Sequence, residues 1–259
     1  MTDPVLLVDQ SDPQISLLTL DRPAKRNALS LELIEQITAA VLAAQNDLNR
    51  RVIVLRASGP AFCAGLDLTE ASNPQNAHRS AEALSRMYLA IGSSPLITIA
   101  AAGGAAMGGG AGLLAACDLV VASDDLRLSY PEVKRGLIAA LVTCLLRRQL
   151  SDRRVRELIL LGQTLEAPRA LELGLVTRVV PVASLDAEAM QLAHEACSGA
   201  PGAIARTKQL LDELAERPLV DDLRIALAHH LAARESAEAA EGVAAFMEKR
   251  PPRWGQRNA

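Results

Sequence analysis

Aromatic residues are scarce in this chain, which holds one Trp, two Tyr and two Phe among its 259 residues. Half of the residues are hydrophobic, so a sizeable core has to be built from Ala, Leu, Val and Ile. Such a core suits helices packed closely on one another or on a sheet, and it suits an aromatic-rich sandwich poorly. The length is sufficient for one large domain, or for one domain with a small helical appendage.

Cysteine content and net charge are also low. The four cysteines are widely separated, no CxxC pair occurs, and no cluster of Cys and His has metal-binding spacing. We therefore expect reduced thiols in a cytoplasmic protein, and no metal. The formal net charge of −3 does not favour nucleic acid as a partner, because nucleic-acid binding requires a basic face.

Long hydrophobic runs are missing as well. The N-terminal residues MTDPVLLVDQSDP are acidic and lack the basic segment and apolar run of a signal peptide. The longest apolar stretches are too short, or too interrupted by Gly, to span a bilayer. We expect a soluble protein without a membrane partner. The basic residues near the C-terminus are either a solvated tail or a contact for phosphates, and they are Lys249, Arg250, Arg253 and Arg257.

The first half of the chain alternates between strand and helix patterns. Ser30 is a predicted N-cap for a helix with apolar residues at helical spacing. A second helix is predicted over Ala81–Ile91, after a loop at Asn73–Asn76. The order of elements predicts an α/β domain with largely parallel strands. The predicted strands are Val5–Val8, Ile15–Leu20, Val52–Leu55, Leu96–Ala100, Leu119–Ala122 and, later, Val176–Val180.

Helices predominate after about residue 140. The Ser-Gly-Ala-Pro-Gly segment at 198–202 is the predicted boundary between an α/β core at 1–198 and a helical region at 199–259. No sequence repeat of fixed period occurs. The predicted helices are Ser151–Leu161, Ala167–Leu173, Leu185–Cys197, Ala203–Leu214, Asp221–Arg234 and Ala237–Lys249.

Two turns follow predicted strands. The first, AFCAGLDL, occupies residues 61–68, and the second, AGGAAMGGGAG, occupies residues 102–112 and leads into a helix. Six of those eleven residues are glycine, a composition that costs backbone entropy and is expected where the backbone approaches something closely. The start of a helix leaves N–H groups unpaired, and these attract negative charge.

Three interpretations of the glycine run remain. One is close packing of a helix on a strand. Another is dinucleotide binding, because Gly110–Ala115 matches G-x-G-x-x-A and Asp124 lies downstream, although extra residues separate Gly104 from Gly110. A phosphate-binding P-loop and a nucleophile elbow are both absent. The third is an oxyanion hole, whose N–H donors point at charge developing on a carbonyl oxygen.

These segments resemble the crotonase, or enoyl-CoA hydratase/isomerase, superfamily. The resemblance rests on AFCAGLDL, AAGGAAMGGGAGLLAACDLVVAS and YPEVKRGL, with RPAKRNALS before them and LELGLVTRVVP and FMEKRPPRW after them, in order over nearly the whole chain. It implies a crotonase-like spiral of ββα repeats with a helical C-terminal trimerisation region. It also implies a homotrimer or a hexamer formed as a dimer of trimers. The implied substrate is an acyl-CoA thioester, in which coenzyme A belongs to the substrate and no separate cofactor is needed.

The resemblance also assigns roles to residues. The backbone N–H groups of Leu66 and Gly109 would form the oxyanion hole, so the Leu66 side chain would only crowd the acyl pocket. Phe246 and Lys249 would be shared across subunits. The residues that would contact coenzyme A are Arg26, Ala64, Asp67, Leu68, Phe246 and Lys249.

One of the two glutamates of the family's hydratases is missing. Gly112 occupies its position, whereas Pro131-Glu132 retains the second. Taken alone, Glu132 is better explained as a surface residue at a helix start, and only the resemblance favours a catalytic role. A single carboxylate that moves a proton between carbons resembles a Δ3,Δ2-enoyl-CoA isomerase. The segment EVKRGL at 132–137 resembles hydratases of branched or carboxylated enoyl-CoA. We expect hydration of a 2-enoyl-CoA. The alternatives are isomerisation, a CoA-ester-binding protein with little turnover, and decarboxylation or ring cleavage through an enolate.

Overall fold

A computed structural model of the chain describes residues 4–71, 74–214, 237–250 and 252–253. Six strands form one sheet in the order β1-β2-β3-β4-β6-β9, and all neighbours are parallel except β1 and β2. The α/β fold with largely parallel strands is therefore confirmed. The strands of this sheet are β1 (Leu6–Asp9), β2 (Ile15–Leu20), β3 (Val52–Ala57), β4 (Ile97–Ala102), β6 (Leu119–Ser123) and β9 (Arg178–Val180).

The main sheet is covered on both faces, which explains the continuous apolar runs of its strands. Alternate residues of a strand point to opposite faces. Ile53 and Leu55 belong to the larger core cluster, with the apolar side chains of α1 (Leu31–Asn46) and α3 (Pro74–Gly92). Val52 and Val54 belong to a second cluster, with α8 (Leu185–Ala196). Strands buried on both faces lack the polar alternation of a half-exposed sheet.

A second sheet of three short strands was not predicted. It contains β5 (Ala105–Met107), β7 (Arg127–Ser129) and β8 (Thr164–Glu166), with β5 parallel to β7 and β8 antiparallel to β7. Segments of three residues are too short to show a periodicity. This sheet places the end of β5 beside the end of β7, so the chain after Met107 and the chain after Ser129 start from neighbouring points.

The helix predictions are mostly confirmed. Ser30 is the N-cap of α1, since its Oγ accepts the Leu33 N–H at 3.2 Å. The predicted loop at Asn73–Asn76 is wrong, because α3 begins at Pro74; proline is tolerated at the first helical position, where the N–H has no intrahelical partner. Asn73 itself and the predicted helix Asp221–Arg234 lie outside the described residues. The remaining helices are α2 (Leu68–Ala71), α4 (Gly109–Ala116), α5 (Ala140–Leu146), α6 (Asp152–Leu161), α7 (Ala167–Glu172), α9 (Pro201–Glu213) and α10 (Ala237–Met247).

Among the described residues, the last two helices contact each other and the core. Glu238 of α10 accepts the N–H groups of Gly202 and Ala203 at 2.9 and 3.0 Å, at the start of α9. Lys208 of α9 donates to the Leu96 carbonyl at 2.7 Å. The division into a core at 1–198 and a helical region at 199–259 stays a prediction. Within the described ranges, no helix combines the length and the apolar composition needed to cross a membrane.

Candidate active site

The first turn, at residues 61–68, is held against β5. Cys63 donates its N–H to the Ala105 carbonyl at 3.0 Å, and Met107 donates its own to the Cys63 carbonyl at 2.9 Å. Gly65 has a φ of 92°, and a Cβ on it would lie 2.8 Å from the Met107 carbonyl oxygen. Only glycine combines this backbone conformation with this close approach.

The glycine run at 108–112 forms the start of α4. Gly108 precedes the helix with a φ of 50° and donates its N–H to the Ser129 carbonyl at 2.8 Å. A Cβ on Gly110 would lie 2.3 Å from the Cys63 carbonyl oxygen, which shows that α4 packs closely on the first turn. The dinucleotide interpretation is wrong, because Gly110–Ala115 lies inside α4 and is buried, where it cannot receive a pyrophosphate.

Two backbone donors converge between these turns. The bonds around Leu66 use its neighbours: the Gly65 carbonyl accepts the Leu29 N–H at 2.8 Å, and Asp67 donates to the Leu29 carbonyl at 3.0 Å. Gly109 is the first residue of α4, so its N–H has no intrahelical acceptor. A Cβ on Gly109 would lie 3.7 Å from the Leu66 nitrogen. Neither N–H has an acceptor among the described residues, and two adjacent free donors suit a carbonyl oxygen that gains charge.

A cavity of about 300 Å³ opens onto these donors. It brings together six of the residues assigned from the sequence, namely Arg26, Ala64, Leu66, Asp67, Gly109 and Glu132. Leu68 starts α2, and its side chain lies outside the described part of the chain, as does that of Phe246 on α10. Lys249 is exposed, and it is not among the described residues that line the cavity.

Glu132 reaches the cavity from the short 3₁₀ helix Pro131–Arg135, which follows β7. Its Oε1 lies 2.9 Å from the point that a Cβ on Gly108 would occupy. Its Oε2 is buried and has no hydrogen-bond partner among the described residues. Burial raises the pKa of the Glu132 carboxyl, against smaller lowering effects of its own backbone N–H and of the Arg135 charge. A carboxylate of raised pKa exchanges protons more readily near neutral pH.

The charges around the cavity fall into two groups. Asp67 is paired with Arg22 at 3.1 Å. Burial alone would raise the pKa of Asp67, but hydrogen bonds from Arg22 and from the N–H of Thr69 outweigh it and lower that pKa. The other group consists of three exposed cations, Lys25, Arg26 and Arg135, which form no ion pair with any described residue. Unpaired cations at a cavity mouth are suited to a phosphorylated ligand.

Asn27 is a buried residue that the sequence did not single out. Its Nδ2 donates to the carbonyls of Ser58 and Ala61 at 2.9 and 2.8 Å, and its Oδ1 accepts the Arg22 N–H at 2.8 Å. Its φ of 53° lies in the left-handed region that Asn tolerates better than most residues. Asn27 thereby fixes the entry to the first turn. The one sequence feature that could have indicated Asn27 is its place within the segment RPAKRNALS. In that segment only Arg26 received a role from the sequence.

Both tyrosines of the chain are buried, and Tyr88 contacts the glycine run. The Tyr130 side chain is 1% exposed, which agrees with a packing role, and its hydroxyl has no partner among the described residues. Tyr88, on α3, donates its hydroxyl to the Gly109 carbonyl at 2.7 Å. No sequence pattern distinguishes Tyr88, because it occupies an ordinary position on the apolar face of a helix some twenty residues earlier.

Metal coordination and thiol chemistry find little support in these residues. No group of three or more His, Cys, Asp or Glu side chains able to hold a metal occurs in the ranges described, and the expectation of no metal stays a prediction. Cys63, in the first turn, is buried, and burial raises the pKa of its thiol to about 12. A thiol of that pKa remains protonated at neutral pH and is a poor nucleophile.

Known proteins resemble the chain over nearly its full length. A family model described as enoyl-CoA hydratase/isomerase matches residues 10–257. A protein of Thermus thermophilus named "Putative enoyl-CoA hydratase" is 38% identical over 254 residues, covering 96% of this chain and 100% of its own length. The human "Enoyl-CoA hydratase domain-containing protein 3, mitochondrial" is 34% identical over 247 residues, covering 92% of this chain and 79% of its own.

The fold is similar to solved structures as well. A crystal structure of an enoyl-CoA hydratase from Mycobacterium smegmatis superposes with a TM-score of 0.92 and 32% identity. The superposition covers 98% of this chain and 100% of that one, so both the core and the C-terminal helices have counterparts.

Proposed function

Because the chain belongs to the enoyl-CoA hydratase/isomerase family, whose members have the crotonase fold, we propose that it hydrates a 2-enoyl-CoA to a 3-hydroxyacyl-CoA. Family membership supports an enzyme that acts on acyl-CoA. Hydration is the more specific part of the proposal. One observation carries it: the free N–H groups of Leu66 and Gly109 and the carboxyl of Glu132 face the same cavity. This arrangement supplies both an oxyanion hole and a proton-transfer group.

In the proposed reaction, the Leu66 and Gly109 N–H groups bind the thioester carbonyl oxygen and make C3 electrophilic. Ionised Glu132 takes a proton from water while the water oxygen forms a bond to C3. The electron pair of the C2–C3 double bond moves toward the thioester and forms an enolate. Glu132 then returns its proton to C2, so one water is added in total. Loss of one oxyanion donor typically costs about 3–4 kcal/mol of barrier.

Coenzyme A would enter as part of the substrate, with no separate cofactor. The exposed charges of Lys25, Arg26 and Arg135 support binding of its phosphates at the cavity mouth. Lys249 and Phe246 would complete that site from a neighbouring subunit in a homotrimer or a dimer of trimers. Assembly and a cytoplasmic location both remain part of this proposal.

Isomerisation of a 3-enoyl-CoA is the second candidate. The observation that favours it is Gly112, which has no carboxylate. Of the two carboxylates that line the cavity among the described residues, Asp67 is paired with Arg22, and Glu132 alone is in no ion pair. Glu132 would take a proton from C2 and return it to C4, with the enolate held by the same two N–H groups. The third candidate is a CoA-ester-binding protein with little turnover. The raised pKa and cavity position of Glu132 argue against it.

Product analysis in heavy water separates these candidates. The protein is given a 2-enoyl-CoA and, separately, a 3-enoyl-CoA, and the products are weighed by mass spectrometry. Hydration adds the mass of heavy water, isomerisation adds no mass beyond deuterium exchange, and binding without any product supports the third candidate. Glu132→Gln should abolish turnover, while Glu166→Gln, at an exposed position, should retain it. Full activity of Glu132→Gln would overturn the assignment of this residue.

A further inference from the structure

Tyr88 joins α3 to the N-terminal turn of α4. It lies near the C-terminal end of α3 and is 4% exposed. Its hydroxyl donates to the Gly109 carbonyl at 2.7 Å. A buried hydroxyl costs free energy unless it is bonded, so this contact fixes the ring relative to α4. The residue contacted is the one whose N–H forms half of the oxyanion hole.

The same ring fills the space over Gly112. A Cβ on Gly112 would lie 2.2 Å from the Tyr88 hydroxyl oxygen, 2.7 Å from its Cζ and 2.9 Å from Cγ2 of Val142. Contacts below about 3 Å are not tolerated without movement. The Tyr88 ring is rigid and buried, and Val142 is 3% exposed, so neither can withdraw easily into solvent. A side chain at position 112 therefore requires a different residue at position 88.

We propose that Tyr88 is a positioning residue and a determinant of reaction type: its hydroxyl holds the Gly109 carbonyl, and with it the first turn of α4 that carries the Gly109 N–H, and it occupies the place of a second carboxylate. The inference rests on the proposed function in one respect, namely that the Gly109 N–H binds the thioester oxygen. It adds that the packing of α3 against α4 leaves no room for a carboxylate at position 112. Tyr88 and Gly112 are then a coupled pair.

The chemistry of the glycine run explains why an external bond is needed here. Three consecutive glycines, Gly108–Gly110, have no side chains of their own to restrict the direction of their peptide groups. The Tyr88 hydroxyl restricts the peptide between Gly109 and Gly110, which shares the Gly109 Cα with the peptide that carries the Gly109 N–H. Burial raises the pKa of Tyr88 well above its ordinary value, so the hydroxyl remains a donor throughout the working pH range. The Tyr130 hydroxyl is buried and has no hydrogen-bond partner among the described residues, so it does not hold the backbone in this way.

The orienting role is tested with Tyr88→Phe, which keeps the ring and removes the hydroxyl. Ser93→Ala is the matched control, because Ser93 directly follows α3 and its hydroxyl donates to the Leu89 carbonyl of α3, also at 2.7 Å. We expect Tyr88→Phe to lower kcat about ten-fold with little change in KM. We also expect a smaller downfield shift of the thioester carbonyl in bound butyryl-CoA labelled with ¹³C at that carbon. Ser93→Ala should alter neither.

The two readouts separate failure of this inference from failure of the proposed function. If the parent turns over no enoyl-CoA, the proposed function fails, but the carbonyl shift of bound butyryl-CoA still tests Tyr88. An unchanged carbonyl shift in Tyr88→Phe overturns the orienting role. Equal losses in Tyr88→Phe and Ser93→Ala also overturn it, because the effect would then come from α3 in general.

The coupling of Tyr88 and Gly112 is tested by a double-mutant cycle on thermal stability. Gly112→Ala should lower Tm strongly in the parent, because its Cβ meets the Tyr88 hydroxyl. In a Tyr88→Ala background the same change should lower Tm much less. If Gly112→Ala lowers Tm equally in the parent and in the Tyr88→Ala background, the two residues are not coupled. Tyr88→Ala combined with Gly112→Glu should have a higher Tm than Gly112→Glu alone.

Discussion

Gly108 and Glu132 meet on the wall of the cavity, where Oε1 of Glu132 lies 2.9 Å from the position that a Cβ on Gly108 would take. Twenty-four residues separate them in the sequence, and the pairing of β5 with β7 brings them together. The glycine therefore serves two purposes: it adopts a φ of 50° before α4, and it leaves room for the carboxylate.

Replacement of Gly108 by Ala should damage both stability and turnover. An alanine at φ 50° and ψ −118° costs about 1–3 kcal/mol in backbone strain, and its Cβ would displace the Glu132 carboxylate. Gly174→Ala is the control, since Gly174 also has a positive φ, 80°, but its Cβ would meet nothing within 4 Å. We expect both variants to lose comparable stability in urea, and only Gly108→Ala to lose most of kcat. Normal kcat in Gly108→Ala would contradict the contact.

The pH dependence of turnover should report the raised pKa of Glu132. The carboxylate must be ionised to take a proton, so kcat/KM should fall on the acid side with a midpoint above the ordinary value of 4.5. That acid limb should be absent from any residual activity of Glu132→Gln. A midpoint at or below 4.5 would show that burial does not control this group.

Ionisation of Glu132, which turnover requires, should lower the stability of the folded protein. Its folded-state pKa is raised, so its stabilising contribution is complete below the unfolded-state pKa and is lost as pH rises through the folded-state pKa. At neutral pH, ionised Glu132 therefore lowers stability. Glu132→Gln should raise Tm at pH 7, where the parent is ionised, and change it little at pH 4. A lower Tm for Glu132→Gln at pH 7 would contradict this sign.

The sequence was informative where a pattern is local or a segment long. The apolar runs of β3 and β4 and the cap at Ser30 are such features, and each lies where predicted to within two residues. The three-residue strands β5, β7 and β8 have no readable periodicity, yet they align the glycine run with Glu132. The contact of Tyr88 with Gly109 depends on how α3 packs against α4, which no local pattern specifies.

Asn27 should be important for stability although it touches no substrate in the proposal. Loss of its amide leaves the carbonyls of Ser58 and Ala61 without this donor. Each buried group left unpaired costs about 1–3 kcal/mol. Asn27→Ala also introduces left-handed strain at a φ of 53°, whereas Asn27→Gly does not. Urea unfolding should rank parent, Asn27→Gly and Asn27→Ala in falling stability, and equal stability of the parent and both variants would contradict it.

The exposed cations at the cavity mouth should act on substrate binding rather than on chemistry. A Lys25→Gln/Arg26→Gln variant should raise KM for the acyl-CoA substrate while leaving kcat nearly unchanged, because both side chains are exposed and would meet phosphates. The effect should weaken at high salt, which screens exposed charges. Arg153→Gln is the control, an exposed arginine that does not line this cavity among the described residues.

An acyl-pantetheine thioester sharpens this last test, because it presents the same reacting carbonyl without the nucleotide phosphates. The parent should bind it more weakly than acyl-CoA, and the Lys25→Gln/Arg26→Gln variant should bind it as well as the parent does. If the variant raises KM equally for both thioesters, these side chains do not act through phosphates. They would then act on the shape of the loop that carries Arg26. That residue has a φ of 50°, and its carbonyl accepts the Ala64 N–H at 2.9 Å, which connects the loop to the first turn.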